Sequence, residues 1–318
     1  MKVVIAVVLI ALGLAHLFLP FSIIEEAARV DADLAKLVLL GLRLPRTLLV
    51  LGYGAVLGIA GAALQAVFAN PLASPDISGA SSGAALGAVL GGYWIGVSQP
   101  LALAACGAVG AMTALGMLIA LTGRRADSAT LLLAGLAISL AAGAATSLAL
   151  ALAPSPFAFY DAFDWLMGNF ADRSLAQAAA ALVPATIASL LLLRRAGALD
   201  RLALGEDVAA SLGVRPRALT VETIALSSIA VGACVSVAGA IGFVGLVAPI
   251  LARRLSKGHP GRALVPAALI GAILLALSDL LVRSIPLDRP IPIGVVTALF
   301  GTPIFLWLVV HMRRRVTA

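Results

Sequence analysis

The chain has 318 residues, 62% of them apolar and only 12% charged, with a mean hydropathy of +1.10. That balance excludes a soluble globular domain and places the chain in a bilayer. The net charge of +7 and pI of 10.2 need no nucleic-acid partner, because basic residues near membrane-helix ends set orientation and account for the excess.

The first apolar segment, 3–24, follows Met1-Lys2, stays apolar through Leu19 and lacks a clear A-x-A site, so it reads as an uncleaved first helix. Uncharged runs then cover 47–75, 77–123, 128–160, 174–193, 223–252 and 290–312, with 263–278 close behind. A helix needs about 20 apolar residues to cross roughly 30 Å of hydrocarbon, so the longest runs each fold back as two helices. Ser98-Gln99-Pro100 marks one reversal and Ala238-Gly239-Ala240 another. The expectation is a single all-α transmembrane domain over 1–318, polytopic, with about ten helices. Barrel strands would alternate in segments of about ten residues; these runs are continuously apolar and rich in Ala, Leu and Gly. The 31 glycines predict close helix packing.

With Lys2 on the cytoplasmic side, ten helices put fifteen basic residues inside, among them Arg194, Arg195, Arg201, Arg215 and Arg217, against seven outside. Both termini are then cytoplasmic. Cys106 and Cys234 each sit in apolar runs and behave as small hydrophobes, with no disulfide framework implied. Trp165, in 159–174, belongs to an outer loop or an interfacial helix.

Several chemistries are missing. The three lysines, Lys2, Lys36 and Lys257, follow Met, Ala and Ser, so no Gly-Lys pair exists for a phosphate-cradling loop, and the chain is no P-loop ATPase. His16, His259 and His311 are far apart, outside any H-E-x-x-H pattern, and read as interfacial residues at helix ends; no metal site is expected. G-x-S-x-G is absent and Ser81-Ser82-Gly83 has no evident base, so no catalytic residue is assigned and a membrane enzyme is poorly supported. Ionisable residues inside spans are few. Glu222 lies near the start of one, and Asp279 stands four residues before Arg283, the spacing of a local ion pair. An ion-coupled secondary transporter using Asp279 or Glu222 is the alternative from another class.

A constellation of motifs is more specific. Arg43-Leu44-Pro45-Arg46 opens GYGAVLGIAGAALQ at 52–65, followed by Asn70-Pro71-Leu72-Ala73-Ser74-Pro75-Asp76 and Gly79-Ala80-Ser81-Ser82-Gly83-Ala84. LALGEDVAASLGV at 202–214, GAIGFVGLVAPILARRL at 239–255 and PIGVVTALFGTPIFLWLV at 292–309 come later. In order, over nearly the whole chain, these resemble the FecCD family, permeases of ABC importers for iron-siderophore, haem and vitamin B12.

The resemblance implies the fold of type II ABC importer permeases in a bacterial inner membrane, pairing with a second copy around a central path. It also implies two separate ATPase subunits, which carry ATP and Mg, and a periplasmic substrate-binding protein; surrounding lipid is the other partner, and this chain holds no cofactor. A coupling segment at about 195–217 is expected to meet the ATPase through Leu204, Gly205, Glu206, Asp207, Ala209, Leu212 and Gly213. Physically, Glu206 and Asp207 suit the positive end of a short helix over 206–212 and Gly213 suits its left-handed stop, with Gly205 as hinge. Arg43, Arg46 and Arg283 are similar to arginines that meet carboxylates on the binding protein. Asn70, Pro71 and Leu72, with Ser128 and Thr130, fall where the family has a cytoplasmic gate, and Pro71 disfavours helix at Asn70. Ile250 and Pro290 depart from the family pattern. Among substrates the reading favours an iron(III)-siderophore, with haem or cobalamin as alternatives.

Overall fold

Pro, Gly and Ser punctuate a chain that is otherwise helical in the computed structural model, which describes residues 2–76, 78–123, 128–153, 156–285 and 291–316. The first apolar segment is interrupted: α1 (Lys2–Phe18) stops ahead of Pro20, and α2 (Phe21–Val30), bearing Glu25, Glu26 and Arg29, follows. The Asp31 carboxylate accepts from the Asp33 N–H (3.0 Å) and caps α3 (Ala32–Leu37), which continues through a π-helical turn, Val38–Arg43, into α4 (Leu44–Val67). After an irregular loop, α5 (Ala80–Val89) ends in a second π-helical turn, Leu90–Trp94.

The expected reversals are both present. Pro100 begins α6 (Pro100–Thr122), and Gly239 follows the last residue of α12 (Pro216–Ala238). Between them lie α7 (Ser128–Ala151), α8 (Pro156–Leu166) and α9 (Leu175–Arg194), the last opened by a reciprocal cap between Ser174 and Gln177. Two short helices, α10 (Ala196–Leu202) and α11 (Glu206–Ser211), precede α12. The chain closes with α13 (Val244–Leu255), α14 (Pro260–Ser284) and α15 (Ile293–Val316).

Among the described residues, six helical segments are long and apolar enough to cross a membrane: 32–67, α6, 130–151 of α7, α9, α12 and α14. The protein is therefore a multi-pass membrane protein. The sequence count of about ten also includes shorter pieces such as α5 and α13, which start beyond irregular backbone.

Two large apolar clusters form most of the interior among the described residues. One gathers Leu49, Tyr53 and Leu57 of α4 with Val231 and Val235 of α12 and Leu275 of α14. The other joins Leu64, Leu118, Leu192, Leu199 and Leu264. Lipid supplies no hydrophobic drive between helices, so contact depends on how closely backbones approach. Gly54 and Gly58 put the α4 backbone directly on α14: a Cβ at Gly54 would lie 2.5 Å from the Gly271 carbonyl oxygen, and one at Gly58 would overlap that of Ala267. Gly61 repeats the approach against the Gly245 carbonyl, which Pro249 leaves without an intrahelical donor.

Gly58→Ala should thus force α4 and α14 apart and cost about 1–3 kcal/mol, visible as a lower midpoint in thermal unfolding of the detergent-purified protein. Gly116→Ala, at an α6 position with open space around it, should leave the midpoint unchanged or raise it. Equal loss in both variants would remove the close contact as the cause.

Candidate functional site

The segment after α9 folds as two helices joined at Gly205, whose φ is +105°. Glu206 and Asp207 occupy the first turn of α11, where acidic groups meet the partial positive charge of free N–H groups. Its end is a Schellman motif: Val214 N–H donates to the Ala209 carbonyl (3.0 Å) and Gly213 N–H to that of Ala210 (3.0 Å), with Gly213 at φ +81°. Ala209 is fully buried, which seats α11 on the body of the protein. Leu204, Val208 and Leu212 point the other way, 62%, 45% and 48% exposed, a run of apolar surface beside the two acids.

This segment is gripped from two sides. The Asp200 carboxylate accepts from the Gly261 N–H (2.8 Å) at the start of α14, and a Cβ on Gly261 would overlap the Ala196 carbonyl. Arg195 pairs with Glu222 (2.8 Å), so that carboxylate is held in a half-exposed ion pair on α12.

A second polar constellation lies near the opposite end of α14. The sequence points Arg43, Arg46 and Arg283 outward; the structure engages all three within the chain. Asp279, fully buried, accepts from Arg46 Nη2 (2.7 Å) through Oδ1 and from Arg283 Nε (2.9 Å) through Oδ2. The expected local pair of Asp279 with Arg283 is present, and Arg46 shares the same carboxylate. His16 completes the set and corrects its reading as an interfacial residue. Its ring is fully buried, with Nε2 2.7 Å from Asp279 Oδ2 and Nδ1 2.8 Å from Thr47 Oγ1. A neutral imidazole protonated on Nε2 satisfies both contacts, donating to the carboxylate and accepting from the hydroxyl. Being alone in an apolar run was the available signal, since a polar side chain at such a place needs a partner.

Two of these arginines also close the end of α1. Arg43 donates to the Leu17 and Pro20 carbonyls (3.2 and 2.8 Å), and Arg283 to those of His16 and Leu19 (3.0 and 3.3 Å). Cationic donors at free carbonyls are favourable there, because a helix C-terminus leaves its last carbonyls unpaired and carries partial negative charge.

Between these ends the backbone is irregular in two places that touch. The break at 239–243 separates α12 from α13, and Phe243 sits at φ +65°, a conformation costly for a bulky residue. Tyr53 OH donates to the Gly239 carbonyl (3.2 Å), and Asn169 N–H to that of Ala238 (2.9 Å). The loop after α4 packs on the break, with Pro75 against Gly245. Within that loop Asn70 Oδ1 accepts from the Leu72 N–H (2.9 Å), forming a turn around Pro71. Ser139 ties the loop to α7 through the Asp76 carbonyl (2.7 Å). Thr130 is exposed about two and a half turns away; the side chain of Ser128, and Pro290, lie outside the described residues. Ile250 is buried with Leu246, packed against Phe243 and Phe305.

Two cavities flank the break. One, of about 370 Å³, is lined by Tyr93, Asp164, Trp165, Asn169, Arg173 and Gln177, so Trp165 has a cavity-lining position that sequence reasoning did not supply. Burial draws the Arg173 guanidinium below its ordinary pKa, opposed by Asp172 and Tyr93. The other, about 760 Å³ and open on one side, is bounded by Leu166, Met167, Phe243, Val295, Leu299 and Pro303, and none of its lining side chains is charged. No group of three or more metal-ligating side chains is found among the described residues.

The described residues thus form a multi-pass bundle with broken helices, an exposed helical pair near one end of α14 and a buried charge cluster near the other. The FecCD transport family model matches residues 3–311, and the chain belongs to that family, membrane permeases of ABC importers. It is 36% identical over 281 residues to the vitamin B12 import system permease protein BtuC of Vibrio cholerae, covering 85% of this chain and 82% of the relative. It is 38% identical over 278 residues to the corresponding protein of Citrobacter koseri, covering 86% and 83%. Among solved structures, one described as an inward-facing conformation of a metal-chelate type ABC transporter is similar over 96% of both chains, at 31% identity and a TM-score of 0.82.

His16→Leu removes one donor from the buried Asp279 carboxylate and one partner from Thr47. A stability loss of about 1–3 kcal/mol is expected, while Thr47→Val should cost less because the contacts of His16 with Asp279 and Arg283 persist. Thermal unfolding of both variants checks this; an unchanged His16→Leu midpoint would contradict the network.

Proposed function

We propose that two copies of this chain enclose the path of an ATP-driven importer for a bulky metal chelate in a bacterial inner membrane, with both termini cytoplasmic. Substrate is received from a periplasmic binding protein, and work is supplied by two separate ATPase subunits that bind ATP and Mg. The observation that carries this reading is the open, uncharged cavity beside the break at 239–243. Irregular backbone within a membrane protein is tolerated only where protein covers it or it lines a water-filled space. This face therefore turns toward a second copy and the path, and an apolar wall suits a large chelate selected by shape.

The names of the relatives favour a corrinoid as the chelate, and the solved neighbour favours metal chelates as a class. An iron(III)-siderophore is the second reading and haem the third. Around 195–217, Leu204, Gly205, Glu206, Asp207, Ala209, Leu212 and Gly213 form the element that meets the ATPase; exposed Leu204, Val208 and Leu212 support this. Arg46 and Arg283, whose side chains keep 20% and 12% exposure, meet the binding protein, with Arg43 as their buried support. The turn at Asn70, Pro71 and Leu72 gates the cytoplasmic end together with Ser128 and Thr130.

In proteoliposomes holding the permease and its ATPase, uptake of cobalamin, a ferric siderophore or haem delivered on the binding protein should require ATP and survive collapse of the proton gradient. Accumulation driven by that gradient without nucleotide would overturn the importer reading. Gly205→Pro fixes φ near −65° where the chain needs +105°. It should abolish uptake by detaching α11 from the ATPase; normal uptake by this variant would remove the coupling assignment.

A further inference from the structure

We propose that Asp279 is an internal occupant of the Arg46–Arg283 pair: it holds both guanidinium groups against the protein, and a carboxylate of an acidic protein partner competes with it for them. The inference rests on the reading above that these arginines meet a binding protein. Asp279 lies on α14, is fully buried, and spends both oxygens on the two arginines and His16. Of its ionic partners among the described residues, Arg46 and Arg283 reach the surface, at 20% and 12% exposure, and His16 does not. Arg43 differs, because its donors hold the end of α1 and it is buried.

Charge identifies the competitor. Arg46 and Arg283 touch the one carboxylate and Arg43 stands beside them at the end of α1, so this cluster by itself carries an excess of at least two positive charges and accepts a further anion without reversing its own sign. Guanidinium forks bind carboxylates through paired donors, and the contact between Arg46 and Asp279 already has that form, with Nε and Nη2 both directed at the carboxylate. An arriving partner exchanges one carboxylate for another, so the desolvation of the arginines is largely complete before docking. The cost is that Asp279 must give up a donor, which sets the affinity.

The test titrates the binding protein of this importer against permease in nanodiscs. Arg46→Glu tests the docking reading alone: unchanged affinity overturns that reading and the present inference with it. Given a loss in Arg46→Glu, Asp279→Asn should bind roughly fivefold tighter or more, with a steeper salt dependence. Asp33→Asn, which removes the same charge from exposed α3, measures the general field. A gain of the same size there, or unchanged or weaker binding in Asp279→Asn, overturns the internal-occupant role and leaves docking intact. Should Asp279→Asn fail to give a monodisperse protein, His16→Glu decides: a second internal carboxylate should weaken binding by more than the field effect, and undiminished affinity overturns the proposal. Effects seen only in nanodiscs containing phosphatidylglycerol, and absent in phosphatidylcholine, assign the arginines to lipid headgroups and overturn it as well.

Discussion

Everything else in the structure is arranged around the contact of α4 with α14, where glycines on both helices bring main chain onto main chain. A bilayer gives helices no reason to bury apolar side chains against one another rather than against lipid, so cohesion comes from close dispersion contact and from polar groups that must find partners. The α4–α14 pair provides both. Glycines at Gly54, Gly58 and Gly271 set the distance, and the Arg46–Asp279 ion pair fixes the register near one end. Tyr53 reaches from α4 to the broken backbone at Gly239, so the irregular centre of the molecule is referenced to the same helix.

The buried charges follow from this arrangement. An isolated carboxylate at Asp279 would be prohibitively costly, and one arginine would leave lone pairs unmet. Two arginines and a histidine saturate it, while the spare donors of Arg283, joined by Arg43, close the carbonyls at the end of α1. That helix shows much of its apolar surface outward, as at Val7, Ile10 and Leu14. Polar closure of its end ties it to the bundle together with Leu12, which packs on the core.

Features governed by local chemistry were legible in the sequence. Pro100 and Gly239 mark helix boundaries because they act on their own backbone, and the acids and Gly213 of the short helix before α12 signal a start and a stop through neighbours only. What escaped depends on distant residues. His16 and Asp279 are 263 positions apart, and nothing in either neighbourhood announces the other. The spacing of Asp279 and Arg283 gave the local half of the network; Arg46 entered from another helix. Trp165 likewise reads as an interfacial aromatic until the loops around it enclose a cavity.

The Asp200 grip on Gly261 has a mechanical consequence. Gly261 and Asp279 belong to one continuous helix and stand about 27 Å apart along its axis. Only Pro266 interrupts its hydrogen bonding near the gripped end, and the Arg262 carbonyl left over there is taken by Ser256 Oγ (3.2 Å). Such a rod can flex near its base but does not stretch, so a tilt of α10 reaches Asp279 as rotation or sideways swing, with little axial slip. The Asp200 contact and the Asp279 cluster are thereby joined through one continuous helical backbone.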